Sequence, residues 1–246
     1  MMKIRIKFRK YGTMKFIGHL DVMRYFQKAI RRSEVNIRYS EGFSPHQIMS
    51  FAAPLGVGIT SKGEYVDIEV LDTENSKKMI DRLNAVMSEG FEILEYKLLP
   101  DDAANAMSIV AAADYSLVFR PGYEPEKESP EEWFEKLVRF FDADHVMIMK
   151  KTKKGEMDLK PFVYELNVRK NGEVPALFMK VSAGSAANIK PELVLDAYYA
   201  SLGEERPQFA FMTEREEVYA DTATAEEAEA GTHKFVTLGD LGQDIE

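Results

Sequence analysis

The stretch Lys3-Ile4-Arg5-Ile6-Lys7-Phe8-Arg9 alternates cationic and apolar residues without interruption. Successive side chains of a β-strand point to opposite faces of the sheet, so this alternation predicts a strand with one apolar and one charged face. We expect the apolar face to enter the core. The opposite face is expected to be open and to carry the four cations Lys3, Arg5, Lys7 and Arg9.

The residues after this strand predict one half of an α+β domain. Residues 18–33 are expected to form an amphipathic helix, because apolar residues recur there at steps of three and four. Its predicted buried stripe consists of Leu20, Met23, Phe26, Ala29 and Ile30. The remaining predicted elements are a short strand at 35–39, an alternating strand at 64–70, a helix at 74–88 and a closing strand at 91–97.

The resulting order, β-α-β-β-α-β, is typical of the ferredoxin-like arrangement. The second half repeats the order, with a helix capped by Ser129 and opened by Pro130, and a hairpin signal at Asn171-Gly172. We therefore predict an α+β protein of two tandem ferredoxin-like domains, with antiparallel sheets and helices on one face. The predicted domains are residues 1–100 and 107–219, followed by an acidic, disordered tail at 220–246.

The composition excludes several classes of protein. The 246 residues include no cysteine, which excludes disulfides, thiolate catalysis and an iron–sulfur cluster held by this chain. Four scattered histidines do not have the spacing of a metal site, and no apolar run of about 18 residues predicts a membrane span. We expect a cytoplasmic protein that holds no metal or cofactor of its own.

The charge is distributed unevenly along the chain. The net charge is −9, yet the first fifty residues contain eleven Lys and Arg against three acids. This asymmetry predicts a basic surface suited to a polyanion, and a solvated basic face without a ligand is the alternative. RNA is the expected polyanion, because ferredoxin-like sheets commonly bind RNA, and no DNA specificity is expected. The expected phosphate-binding residues are Lys3, Arg5, Lys7, Arg9, Arg24, Lys28, Arg31 and Arg38.

Four further residues are candidates for a more selective part of this surface. Tyr39 and Phe43 can stack on bases, and His46 follows them on a loop rich in Gly, Ser and Pro. His19, at the predicted start of the first helix, can bind phosphate, act as an acid or base, or simply cap and pack. Together His19 and His46 would form a metal-independent catalytic pair for RNA cleavage, although their spacing does not force them together.

Two loops of the second half are also notable. A basic turn is predicted at 150–155, after the strand expected at 145–150. The small polar loop at 182–188 can bind phosphate through backbone N–H groups, but a loop that enters a helix in this way is more often only a connection.

Several short motifs resemble those of the bacterial radical-SAM-linked proteins, a domain family of unknown function found fused to, or encoded beside, cobalamin-binding radical SAM enzymes. The resemblance implies a partner that performs radical chemistry, and it supplies neither a reaction nor a catalytic residue. The tandem layout is also similar to that of CRISPR RNA-processing proteins, some of which cleave RNA with a histidine. The motifs that carry the first resemblance are Lys7–Gly12, Phe16–Asp21, Ala29–Arg32, Tyr39–His46, Pro54–Gly58 and Asp158–Pro161.

The sequence thus predicts a non-catalytic accessory protein that presents tRNA, ribosomal RNA or a nascent ribonucleoprotein to a radical SAM enzyme. Two alternatives remain open. One is a metal-independent ribonuclease that uses His19 and His46. The other is a protein-interaction module whose basic face contacts an acidic surface of the radical SAM enzyme.

Overall fold

The alternating stretch at the start of the chain forms the middle strand of a sheet. In the computed structural model, which describes residues 1–149, 155–184 and 187–246, this strand pairs with neighbours on both sides. The chain divides into two compact units, Met1–Ala111 with Glu217–Glu246, and Ala112–Glu216. Most of the predicted basic turn at 150–155 and part of the loop at 182–188 lie outside the described residues.

The first unit combines two main helices, α1 and α2, with a mostly antiparallel sheet. Its strands have the order β4-β1-β3, and the short β2 also pairs with β3. Along the chain, its strands and main helices follow the predicted order, β-α-β-β-α-β. They are β1 (Met2–Lys10), α1 (His19–Arg32), β2 (Met49–Phe51), β3 (Thr60–Val70), α2 (Ser76–Asn84), β4 (Phe91–Leu98) and the short α3 (Ala106–Ile109).

The core of the first unit lies between the sheet and the two helices. The apolar residues of β1 are buried against it, as their alternation predicts. Helix α1 contributes Phe26 and Ile30, and α2 contributes Met79 and Leu83. The prediction that Leu20 is buried is wrong, because its side chain is 65% exposed. Val22 is buried instead, because it lies on the same helix face as Phe26 and Ile30, four and eight residues later.

The second strand of this unit does not lie where the sequence predicts it. Ile37 and Tyr39 form only isolated bridges, to Val70 and Gln47. The paired strand is β2, ten residues further along the chain. The intervening residues 40–47 form a loop whose ends are held together by the Ser40 N–H, which donates to the His46 carbonyl over 2.8 Å.

The second unit also combines helices with antiparallel strand pairs. Its main sheet has the order β10-β5-β9-β8, and β6 and β7 form a separate hairpin. The hairpin predicted at Asn171-Gly172 joins β8 to β9 and is confirmed. The elements are β5 (Val110–Phe119), α4 (Pro130–Phe140), β6 (Met147–Met149), β7 (Glu156–Asp158), β8 (Val163–Asn171), β9 (Val174–Ser182), α5 (Pro191–Ser201) and β10 (Phe211–Asp221).

Helix α4 begins where its sequence predicts. The Ser129 side chain accepts a hydrogen bond from the Glu132 N–H, and the Glu132 carboxylate accepts one from the Ser129 N–H. This reciprocal capping box satisfies two N–H groups that the helix start leaves unbonded. Trp133 and Phe134 then bury their rings against Phe119 of β5.

The tail at 220–246, predicted to be disordered, is folded into the first unit instead. It contains the short helix α6 (Ala225–Glu229) and strand β11 (Phe235–Thr237), which pairs with β10. Leu238 is fully buried, and Gln243 exchanges backbone hydrogen bonds with Leu98. The acidic composition misleads because a few apolar residues suffice to anchor the segment on the sheet.

The structure is therefore that of an α+β protein with mostly antiparallel sheets. Among the helices of the described residues, none has the length and the apolar character needed to cross a membrane.

Candidate functional site

The four cations of β1 lie on one face of the strand, as predicted, but that face is not open. Arg5 is 1% exposed, and its guanidinium donates to both carboxylate oxygens of Asp67 over 2.8 and 2.9 Å. It also donates to the Leu238 carbonyl, so the C-terminal segment covers it. The Lys3 ammonium donates to the carbonyls of Asp101 and Ala103.

The other two cations of β1 are paired with carboxylates of the same unit. The Lys7 ammonium lies 2.6 Å from Glu217 and 3.4 Å from Glu95. Burial alone would lower the pKa of Lys7, but the hydrogen bonds and charges of Glu217 and Glu95 together outweigh it and raise this pKa. Arg9 lies 3.2 Å from Glu92. Three of the four cations are thus paired with carboxylates of the protein, and the Lys3 ammonium is bound by backbone carbonyls, which weakens the physical argument for phosphate binding by the row.

Arg38, the last cation of the predicted set, is also paired. Its guanidinium lies 2.8 Å from Glu69 of β3 and 3.9 Å from Glu41. It therefore anchors the start of the loop at 40–47 to the sheet. The sequence could not predict these pairs, since the partner carboxylates of β1 and Arg38 lie up to about two hundred residues away.

His19 and His46 lie in different surroundings. His19 is partly buried, with its ring edge-on to Phe51 at 5.4 Å, in a cavity of about 10 Å³ that also includes Lys10 and Glu64. Its pKa is lowered by burial and by the Lys10 charge, against the opposing charge of Glu64. His46 lies on the exposed loop, where its Nδ1 is 2.8 Å from the Ser40 hydroxyl.

The two cavities that include His46 do not include His19. The His19 cavity has room for about one water molecule and not for a nucleotide. His19 and His46 thus line different cavities, and a catalytic site shared by the two rings stays a prediction.

The cations of α1, in contrast, stay on the surface. Arg24, Lys28 and Arg31 are exposed, and their spacing of four and three residues places them on one helix face. Arg24 forms only an exposed pair with Asp21 at 3.4 Å. Lys28 makes no hydrogen bond or ion pair to the residues that the structure describes.

A groove lies beside the C-terminal half of α1. It has a volume of about 180 Å³ and is bounded by the helix on one side and by the loop at 40–47 on the other. The loop is fixed there because the Gln47 side chain donates to the Gln27 carbonyl over 3.3 Å. The residues that line the groove are Gln27, Arg31, Tyr39, Pro45, His46 and Gln47.

Two aromatic side chains lie on the same loop region. Tyr39 is 45% exposed, and Phe43, at the tip of the loop, is fully exposed. We define the α1 surface as the exposed cations of the helix together with this groove and these two rings. The sequence did not single out Gln27, Pro45 and Gln47 as part of it, because their role depends on a loop–helix contact that no local pattern reveals.

The remaining histidines are each held by one carboxylate. His145 lies 2.7 Å from Asp158, and His233 lies 2.7 Å from Asp221. Within residues 1–149, 155–184 and 187–246, no group of three or more His, Cys, Asp or Glu side chains is arranged to hold a metal ion.

Comparison with known proteins identifies a family but no activity. A family model described as an uncharacterized protein conserved in bacteria (DUF2344) matches residues 3–191. No curated protein matches the chain.

Two solved structures illustrate the level of structural similarity. A chain from the crystal structure of a Cbf5-Nop10-Gar1 complex is 12% identical, with a TM-score of 0.44 over 87% of this chain and 48% of that chain. This chain thus spans about half the length of that protein. An unknown protein from Galdieria sulphuraria is 12% identical, with a TM-score of 0.24 over 88% of this chain and 98% of the other.

Proposed function

The chain belongs to this bacterial family of uncharacterized proteins, and from that premise we propose that it is a non-catalytic, cytoplasmic accessory protein that binds RNA. The contact would be made by the α1 surface and not by the sheet. Its cations would hold phosphates, and Tyr39 and Phe43 would stack on unpaired bases. Single-stranded segments of tRNA, ribosomal RNA or a nascent ribonucleoprotein are the proposed ligands.

One observation carries this proposal. The cations of β1 are used inside the protein, whereas Arg24, Lys28 and Arg31 present their charges to solvent on one face of α1. Tyr39 lines the same groove as Arg31, and Phe43 is fully exposed on the loop that borders this groove. A positively charged track with neighbouring aromatic rings is the arrangement by which proteins commonly bind single-stranded nucleic acid.

We further propose that the partner is a radical SAM enzyme. The support is the resemblance of the motifs Phe16–Asp21 and Tyr39–His46 to those of radical-SAM-linked proteins. Both motifs contribute to the α1 surface or its border. This chain contains no cysteine, so the iron–sulfur cluster of such a reaction would belong to the partner.

A protein-docking function is the second candidate, and a different observation favours it. Phe16, Leu20 and Val57 are each more than 60% exposed. The Gly58 N–H donates to the Lys15 carbonyl over 2.7 Å, which brings Val57 next to the segment of Phe16. Exposed apolar side chains grouped in this way are typical of protein contact sites.

The order of elements also supports a finer description of the fold. In the first unit the sheet order is β4-β1-β3-β2, and in the second it is β10-β5-β9-β8. If β10 is taken as the last strand of the second unit, both orders correspond to the 4-1-3-2 order of a ferredoxin-like sheet. We propose on this ground that each unit is a ferredoxin-like domain.

Crosslinking in cells, followed by mapping of the crosslinked peptides, tests the proposed function. RNA crosslinks are expected in the peptides that contain Tyr39 and Phe43. A pull-down with and without nuclease distinguishes the candidates: a radical SAM enzyme that is recovered after nuclease treatment, with no RNA crosslink at this loop, would favour protein docking and contradict RNA binding.

A further inference from the structure

A second cavity of the first unit lies on the other side of the loop at 40–47. Its volume is about 360 Å³, which falls in the range of about 300–1,000 Å³ typical of small-molecule sites. Apolar side chains such as Met49 and Leu99 line it together with polar ones, which include His46, Ser50 and Asn105.

Lys3 and Arg5, which the charge pattern predicts to bind phosphate, instead hold the walls of this cavity in place. Lys3 fixes the segment at 101–103 by its two carbonyl contacts. Asp67, itself held by Arg5, accepts a hydrogen bond from the Ala106 N–H over 2.8 Å. A cavity whose walls are fixed in this way needs little rearrangement when a ligand enters it.

Several polar groups in the cavity have unused hydrogen-bonding capacity. The Asn105 side-chain oxygen accepts from the Ser50 hydroxyl and the Met107 N–H, so its Nδ2 group remains available as a donor. The Ser50 oxygen can still accept. His46 uses Nδ1 for Ser40, and its Nε2 makes no hydrogen bond within the part of the chain that the structure describes.

The cavity adjoins the α1 surface. His46 lines both this cavity and the groove beside α1. A strand whose phosphates lie along Arg31 and its neighbours would therefore pass the mouth of the cavity. A planar ring with hydrogen-bonding edges matches the apolar walls, the amide donor and the hydroxyl acceptor of the cavity. The charged side chains that also line it, Lys3, Asp67 and Glu69, are engaged by other groups of the protein.

We propose that this cavity receives one unstacked base of the bound RNA. The inference rests on the proposed function, since the phosphates must first be held by the α1 surface. The base lies against Met49 and Leu99, and its edge bonds to Asn105 and Ser50. The cations Lys3 and Arg5 thereby contribute to RNA binding by shaping a base pocket and not by contacting phosphate.

The test compares two single-stranded RNA decamers of equal charge, one with bases and one in which every nucleotide lacks its base. Binding to the wild-type protein is measured by fluorescence anisotropy. The decamer with bases is expected to bind about fivefold to a hundredfold more tightly, because contacts to each base contribute about 1–3 kcal/mol. Equal affinity for the two decamers would overturn the base pocket while leaving phosphate binding intact.

Two variants assign the preference to this cavity. Ala104→Phe fills it, and Ala85→Phe adds the same ring at an exposed position at the end of α2. The preference for bases is expected to fall at least threefold in Ala104→Phe, with unchanged binding of the baseless decamer, and to persist in Ala85→Phe. A preference unchanged in Ala104→Phe would overturn the inference.

Asn105→Asp provides a variant that does not depend on tolerance of a larger ring. It keeps the oxygen that accepts from Ser50 and Met107 but loses the amide donor. Its added charge weakens phosphate binding of both decamers alike, so the ratio of the two dissociation constants reports on the contact between residue 105 and the base. This ratio is expected to fall, and an unchanged ratio would count against the base contact. If neither decamer binds the wild-type protein, the proposed function itself fails.

Discussion

At the scale of single residues, burial and pairing separate the cations of this chain into two kinds. Arg5 is enclosed by Asp67 and the Leu238 carbonyl, whereas Lys28 is exposed and has no partner among the described residues. Both are basic residues of the first fifty positions. The count of charges along the sequence predicts that a basic surface exists, but it cannot predict which charges reach solvent.

Replacement of Arg5 tests its structural role. In Arg5→Met the Asp67 carboxylate and the Leu238 carbonyl lose their buried donor, so the free energy of unfolding should fall by about 3–5 kcal/mol. Arg9→Gln, which breaks a partly exposed pair, should cost less than about 1 kcal/mol. Urea unfolding followed by circular dichroism measures both, and equal costs would contradict the assignment.

His19 should make the stability of the protein depend on pH. Its folded pKa lies below the ordinary value of 6.5 because of burial and the Lys10 charge, with Glu64 acting in the opposite direction. Between the folded and the unfolded pKa, the unfolded chain binds more protons. Stability is therefore lost as the pH falls through about 6.5, and the loss is complete below the folded pKa.

The variant His19→Gln removes this contribution. Its unfolding midpoint in urea should decrease less than that of the wild type between about pH 7.5 and about pH 5.5. An NMR titration of the wild type should give a pKa for His19 below its ordinary value of 6.5. The same pH dependence in the variant and the wild type would show that His19 is not the group responsible.

At the scale of elements, helices and strands form where short-range sequence patterns predict them. The alternation of β1, the stripe of Phe26 and Ile30, and the cap at Ser129 each specify an element through contacts within a few residues. The strand predicted at 35–39 is reduced to isolated bridges, although Asn36 and Arg38 still bond to the backbone at the end of β3. The regular pairing with β3 is made by Met49–Phe51, because strand pairing depends on the partner as well as on local sequence.

The capping box gives an element-scale prediction. Ser129→Ala removes the acceptor for the Glu132 N–H and should lower the free energy of unfolding by about 1 kcal/mol. The neighbouring Trp133 is the single tryptophan of the chain, so its fluorescence reports the unfolding of α4. Ser44→Ala, in an exposed loop, should change stability by less than about 0.5 kcal/mol. No difference between the two variants would show that the cap contributes nothing.

At the scale of the whole molecule, the chain closes its first unit with residues that follow the second. The C-terminal segment contributes Leu238, the acceptor for Arg5 and the backbone pair at Leu98. The sequence predicts the two-part organisation but not this return, because acidic composition is typical of disorder and the apolar anchor is short. The candidate site was likewise predicted only in part: Arg24, Lys28, Arg31, Tyr39, Phe43 and His46 share the α1 surface, whereas the β1 row does not.

The anchoring role of the C-terminal segment can be tested by one substitution. Leu238 is fully buried, so Leu238→Ala should lower the free energy of unfolding by about 2–5 kcal/mol. Hydrogen exchange of β1 amides should become faster in the same variant. A disordered tail would instead leave both quantities unchanged.

The central claim is that RNA is held by the exposed cations of α1, and a salt titration of RNA binding tests it most directly. The affinity of a labelled single-stranded decamer is measured over a range of salt concentrations for the wild type, for Lys28→Gln/Arg31→Gln and for Lys77→Gln/Lys78→Gln. The second pair lies exposed on α2 of the same unit and serves as the matched control.

The wild type and the α2 control should show the same steep loss of affinity with salt. The α1 variant should bind about tenfold or more weakly at low salt, with a log–log slope smaller by about 1.4, since each lost phosphate contact removes about 0.7 for a single strand. Equal effects of the two double variants, or binding that is indifferent to salt, would contradict the claim.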